Sequence, residues 1–235
     1  MNIQQEILEK FIKAVKMDST AKVTECILTF GDDGLSLKAL TSATAVFMSG
    51  VLNKSNFEAY ENIGDIAVRD LGELYDVVKR FDKKEKLKLA NQDPFLVIEA
   101  NKVFKIKTVN KETITSLPAL PNIDGTNVLK LTTDQLDDFI QDLNAVKAES
   151  FIVSVQPKKV IFYAKELHEC ISTFNGDMLN DEMKIKFGKP LISALSGIKG
   201  ELTITFVKSD YPIKIHYKTE QMNIVFIVAP MASEE

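Results

Sequence analysis

The chain contains no tryptophan, two cysteines, two histidines and two arginines in 235 residues, and each scarcity removes a class of chemistry. Cys26 and Cys170 lie far apart and make no metal-ligand spacing. Both fall in strand-like runs, which predicts buried free thiols and suits a reducing compartment. His168 and His216 sit in strand patterns and lack spaced acid or nucleophile partners. No GxGxxG loop, Walker-type loop or HExxH occurs, so the chain offers no catalytic centre, no metal site and no cofactor site. Asp32-Asp33 and Asp137-Asp138 read as turn and helix-face residues. No apolar run approaches the roughly 18 residues that span a bilayer, and MNIQQEILEK is too polar for a secretory signal.

What remains is an ordinary globular composition, with 45% hydrophobic and 26% charged residues. The net charge of −4 argues against a uniformly basic nucleic-acid binder. It does not argue against a protein that surrounds DNA, which needs positive charge only on the facing surface. The placement of the lysines therefore matters more than their balance.

The order of predicted elements occurs twice. Ile3, Ile7, Leu8, Phe11, Ile12 and Val15 recur at helical spacing. Strand-like runs follow at 22–30, 35–40 and 45–52, with a turn at Gly31-Asp32-Asp33-Gly34. A run at 63–68 leads into a second amphipathic helix with Leu71, Leu74, Tyr75, Val78 and Phe81 as its stripe, then runs at 86–90 and 95–109. In the second half, a strand at 128–131 precedes a helix bearing Leu136, Phe139, Ile140 and Leu143, with Thr132 or Thr133 as N-cap. Strands at 151–155, 159–163, 169–174 and 184–187 lead to a helix with Pro190 in its first turn, ended by Gly200. Strands at 201–207, 213–217 and 222–228 close the chain. The reading is an α+β chain of two similar domains, 1–109 and 128–235, each with two helices packed on an antiparallel sheet and about seven strands. Residues 110–127, rich in Thr, Pro and Asn, read as the connector.

Several segments carry a family resemblance in order along nearly the whole chain. ILEKFIKAVK (7–16) alternates lysines with an apolar stripe, and GLSLKALTS (34–42) follows as strand and loop. Asn56-Phe57-Glu58-Ala59-Tyr60, Asp210-Tyr211-Pro212-Ile213 and Val228-Ala229-Pro230-Met231 complete the set. The chain resembles the DNA sliding clamps of the proliferating cell nuclear antigen type. It departs from them in having few residues before the first helix, almost no arginine, and an acidic third helix with Asp134, Asp138 and Asp142.

The resemblance implies a ring-forming DNA clamp fold without catalytic activity or cofactor. Its helices would face double-stranded DNA without sequence preference, through Lys10, Lys13, Lys16, Lys79, Arg80, Lys83, Lys189 and Lys199. Lysine suits this role because it meets phosphate as a point charge. DNA polymerase and other proteins would dock peptides in a pocket made by Leu40, Ala45, Leu117, Leu120, Ile123, Pro212, Ile227, Ala229, Pro230 and Met231. The apolar connector LPALP (117–121) would cover it. Edge strands around Phe104 and Ile106, and around Ile171 and Phe174, would join subunits into a trimer. A loader ATPase would open the ring. Such a protein has no membrane partner and works in the cytoplasm of a prokaryote or phage host, or in the nucleus of a eukaryote. Three other readings stay open: a checkpoint-type ring subunit, a processivity factor that does not close, and an interaction scaffold without DNA.

Overall fold

In a computed structural model, which describes residues 1–17, 22–114, Leu117 and 123–232, the chain is α+β. The first half runs β1 (Asn2–Gln4), α1 (Gln5–Lys16), β2 (Cys26–Gly31), β3 (Gly34–Leu40), β4 (Val46–Asn53), β5 (Phe57–Glu58) and β6 (Gly64–Val68). It continues with α2 (Leu71–Val78), β7 (Lys86–Gln92), β8 (Phe95–Glu99) and β9 (Val103–Lys107). The second half runs β10 (Asn127–Thr132), α3 (Thr133–Ala145), β11 (Ser150–Gln156), β12 (Lys159–Lys165), β13 (Glu169–Asn175) and β14 (Met183–Gly188). It ends with α4 (Lys189–Ser196), β15 (Glu201–Phe206), β16 (Ile213–Lys218) and β17 (Met222–Val228). Apart from the two-residue β5, the two orders are the same.

Several boundaries differ from expectation for physical reasons. Ile3 lies in β1, where it pairs with Phe57 and Leu87, and not on the first helix. Its spacing to Ile7 fits a helix, so periodicity alone could not separate the two. The run at 95–109 is two strands, because the Ala100 amide donates to the Lys102 carbonyl (2.9 Å) and turns the chain. The strand expected from Lys22 starts at Cys26. The last helix stops at Ser196 with Gly197 as its C-cap; Gly200, at φ 128°, turns the chain into β15. Cys26 is buried and its thiol is pushed up to about 12 by desolvation, but Cys170 is only half-buried. His168 lies exposed in the β12–β13 turn, outside any strand.

The strands form three sheets of eight, five and four strands. The largest, in the order β10-β15-β16-β17-β4-β3-β2-β6, takes four strands from each half. Its halves meet where β17 pairs antiparallel with β4, from Met222 opposite Leu52 to Val228 opposite Val46. The five-stranded sheet (β5-β1-β7-β8-β9) ends at β9, and the four-stranded sheet (β13-β12-β11-β14) ends at β13.

In an antiparallel ladder, residues directly opposite share a face. One row of the large sheet therefore runs Leu28, Leu37, Gly50, Ile224, Tyr217, Leu202, Leu131. Helix α1 lies on this face: a Cβ on Gly50 would stand 3.1 Å from the side chains of Phe11 and Val15. Leu8, Phe11, Ile12 and Val15 are buried along α1, each contributing about 1.5–3 kcal/mol through lost apolar exposure. In the second half Phe139 of α3 packs edge-on against Phe162, with centroids 5.0 Å apart. Phe162 packs the same way on Phe174 at 5.1 Å.

Side-chain caps set the starts of α2 and α3. Asp70 accepts from the Gly72 and Glu73 amides at 2.6 and 3.4 Å and is ion-paired with Lys22. Thr132 and Gln135 cap α3 reciprocally. Among the described residues no helix is long and apolar enough to cross a membrane.

Candidate nucleic-acid interface and partner cleft

The amphipathic pattern of α1 buries its apolar stripe and leaves Lys10 and Lys13 exposed on the opposite side. Both line a cleft of about 680 Å³ with Lys83, which follows α2, and Lys199, which follows α4. Two helices from different halves close that cleft. A Cβ on Gly197 would stand 2.9 Å from the Lys13 carbonyl and 3.1 Å from the Ala14 Cα, so a glycine at the end of α4 permits the approach. Tyr217 closes the floor by donating to the Lys199 carbonyl at 2.7 Å. Desolvation pushes its phenol up, offset in part by that hydrogen bond and by the Lys10 charge.

The cleft is not purely basic. Glu6, Glu9 and Glu220 also line it, and Lys10 lies 3.0 Å from Glu6. That contact holds the Glu6 carboxyl below its usual range. Lys16 and Lys79 stand beside the cleft with their ammonium groups 5.0 and 5.1 Å from the centroid of the same Tyr75 ring. The Tyr75 phenol is raised by desolvation and by Glu9.

Two expected positions lie elsewhere. Arg80 is exposed at the end of α2, and its carbonyl accepts from the Lys102 ammonium beside β9. Lys189 pairs with Glu149 at 2.7 Å. Asp134, Asp138 and Asp142 are exposed on α3; Asp142 is close enough to Cys170 of β13 to add to the burial that raises its thiol.

The opposite face of the large sheet carries a second cleft of about 660 Å³, lined by Ile27, Ser36, Lys38, Leu40, Ile114 and Leu117 among others. Leu40 and Leu117 thus line one cleft. Leu40 also begins a row on that face: Leu40 opposite Phe47, Phe47 opposite Ile227, Ile227 opposite Lys214. Ala45 adjoins this row, its carbonyl accepting from the Ala229 amide at 2.8 Å. The tail then leaves the row, because the Met231 amide donates to the Lys186 carbonyl of β14 at 2.8 Å. Pro212 and Pro230 are half-buried, Ile123 is buried outside the cleft lining, and Leu120 lies outside the described residues. Sequence reasoning missed Ile27, Lys38, Phe47 and Ile114. The period-two alternation of β2 and β3 already placed Ile27, Ser36 and Lys38 on the face of Leu40.

Of the expected edge residues, Phe104 packs edge-on against Phe81 at 5.5 Å and Ile106 is half-buried. Phe174 is buried on Phe162, whereas Ile171 points outward at 61% exposure. Strands β9 and β13 are both sheet edges. Among the described residues no group of three or more His, Cys, Asp or Glu could hold a metal ion.

No protein-family model matches the chain. It is similar to the DNA polymerase sliding clamp of Methanococcus vannielii, 25% identical over 231 residues that cover 88% of this chain and 90% of the relative. The sliding clamp of Methanoregula boonei is 22% identical over 200 residues, covering 84% and 75%. Among solved structures, the A. fulgidus PCNA bound to the C-terminal region of FEN-1 superposes with a TM-score of 0.84 at 16% identity, covering 100% of this chain and 98% of that one. The Entamoeba histolytica proliferating cellular nuclear antigen gives 0.82 at 14%, covering 98% of each. The PCNA2-PCNA3 complex of Sulfolobus tokodaii gives 0.78 at 17%, covering 99% and 100%. The resemblance to sliding clamps is present in sequence, and the fold is that of a DNA clamp.

Proposed function

We propose that the chain is a sliding clamp: a non-enzymatic processivity factor that encircles duplex DNA and tethers a DNA polymerase and other proteins to it. One observation carries the reading. Lysines from both halves (Lys10, Lys13 and Lys83 with Lys199) meet on the helix side of the sheets, while the cleft that holds Leu40 and Leu117 opens on the other side. A clamp needs this division, because DNA and partner must be held on different surfaces at once. The lysines bind phosphate through counterion release, without reading bases. The interleaved glutamates weaken that grip, which favours sliding over tight binding. A closed ring has no free path onto DNA, so a loader ATPase is the expected third partner.

The test replaces Lys10, Lys13, Lys83 and Lys199 with alanine and measures primer extension and retention on nicked circular DNA. The expected result is shorter products and lost retention with an unaltered oligomeric state. Undiminished processivity in that variant overturns the DNA-facing assignment. Equal retention of the wild type on linear and circular DNA overturns encirclement.

A further inference from the structure

One edge that the first half of the chain covers is left open in the second. Beyond the shared order of elements the first half has an extra short strand, β5. It pairs with the edge of β1, placing Asn2 opposite Glu58 and Ile3 opposite Phe57. Strand β10 holds the place of β1 in the second half, since each runs directly into the first helix of its half, with Gln4 and Thr132 as the N-caps. Asn2 and Ile3 therefore correspond to Lys130 and Leu131. Strand β10 ends the large sheet, and its outer edge is met at Val128, whose amide donates to the Met178 carbonyl at 2.9 Å. Lys130, two residues on, turns its N–H and C=O the same way. No strand pairs with it on that side among the described residues.

Charge distinguishes the two places as well. Across the first-half sheet the row runs Asn2, Lys88, Glu99. There Lys88 meets Glu99 at 3.6 Å, and Lys86 meets Glu58 of β5 at 2.5 Å, so each lysine is answered by a carboxylate. The matching row of the second half is Lys130, Thr203, His216, and Lys218 follows on the same face. Lys130, His216 and Lys218 line a cavity of about 400 Å³, in which Glu201 is the one acid among the described lining residues. Neither lysine forms an ion pair among the described residues. The His216 ring is held by Asn223, with Nε2 2.7 Å from Oδ1.

We infer that the open edge of β10 and its basic cavity dock an acidic extended segment of a partner protein, which joins the sheet as a short strand and sets a carboxylate against Lys130 and Lys218. The chain's own β5 shows the form of the occupant: two extended residues, with Glu58 at the matching position. Backbone pairing supplies the affinity of such a contact, and the two lysines supply its preference for acid. Glu201 keeps the excess positive charge small, which disfavours the dense charge of a nucleic acid.

The site is separate from both surfaces of the proposed clamp and does not rest on them. It lies on the sheet face away from the helices, because its row continues from His216 through Val225 and Ser49 to Lys38. Lys38 lines the cleft of Leu40 and Leu117. From β3 to β10 is five strand spacings, about 24 Å, or about seven extended residues. A protein seated in that cleft can therefore reach the β10 edge with a short acidic stretch.

The test uses the full chain and a labelled hexapeptide alternating valine and glutamate, read by fluorescence anisotropy. The expected result is saturable binding that falls at least tenfold when Lys130→Glu is combined with Lys218→Glu. A peptide with lysine in place of glutamate should bind that variant better than it binds the wild type. Both residues are exposed, so circular dichroism should show the variant folded, with retention on nicked circular DNA unchanged. No binding to the wild type, or equal binding to a folded variant, overturns the site. Undiminished binding of the glutamate peptide after N-methylation throughout overturns the strand pairing. Tighter binding of a thymidine oligonucleotide that the same variant loses overturns the protein partner in favour of nucleic acid. A wild type that fails to be retained on circular DNA yet binds the peptide sinks the clamp reading and leaves this site standing.

Discussion

Met48 and Phe226 stand directly opposite each other in the β4–β17 ladder, and both are fully buried. That pair sits where the first and second halves become one sheet, so its packing holds the halves together and not just one core. Phe226→Ala should cost about 3–5 kcal/mol from lost transfer and a residual cavity. Met48→Leu, which keeps volume, should cost less than about 1.5 kcal/mol. Guanidinium unfolding monitored by circular dichroism measures both, and equal costs would mean the joint does not discriminate shape.

Gly197 meets the α1 backbone, not a flexible side-chain tip, so the neighbour has little room to yield. Gly197→Ala should destabilise the chain by about 1–3 kcal/mol through overpacking. The same change should loosen the basic cleft that Lys13 and Lys199 share. A thermal melt at or above the wild-type temperature would contradict this.

Asp70 offers a pH test. Burial pushes its carboxyl up, but the Lys22 ammonium and the Gly72 amide outweigh that and hold it below the usual carboxylate range. A lowered folded value means the contribution is complete above the unfolded value of about 4 and is lost as pH falls through the folded one. Asp70→Ala should cost about 1 kcal/mol near neutrality through loss of the α2 cap, and the gap should close in acid. A gap that persists below the folded value would rule out the carboxylate as its source.

Lys13 is exposed in the basic cleft. If it meets a phosphate, Lys13→Ala should reduce the slope of log affinity against log salt for duplex DNA by about 0.9. The loss should be the same for unrelated sequences. Sequence-dependent losses would point to base contact.

The apolar row from Leu40 through Phe47 to Ile227 makes a prediction for partners. Leu40→Asp and Ile227→Asp should each weaken docking of a clamp-binding peptide by about 2 kcal/mol or more, roughly 30-fold. Met231→Ala should leave it largely intact, because the tail is drawn to β14. Fluorescence anisotropy reads all three; tight docking in the aspartate variants would place the pocket elsewhere.

Local pattern alone determined a good deal. The duplicated order, the buried stripes of α1 and α3 and the Thr132 cap follow from periodicity and capping chemistry, which act over a few residues. Tertiary structure decided the rest. Ile3 became a strand because Phe57 and Leu87 flank it, and the halves share one sheet because β17 found β4, well over half the chain away. Of the eight basic residues expected to face DNA, four meet in one cleft, while the Arg80 carbonyl takes up the Lys102 ammonium and Lys189 pairs with Glu149. Spacing along a helix fixes which way a side chain leaves the axis, but only the packing of one helix against another fixes what it faces.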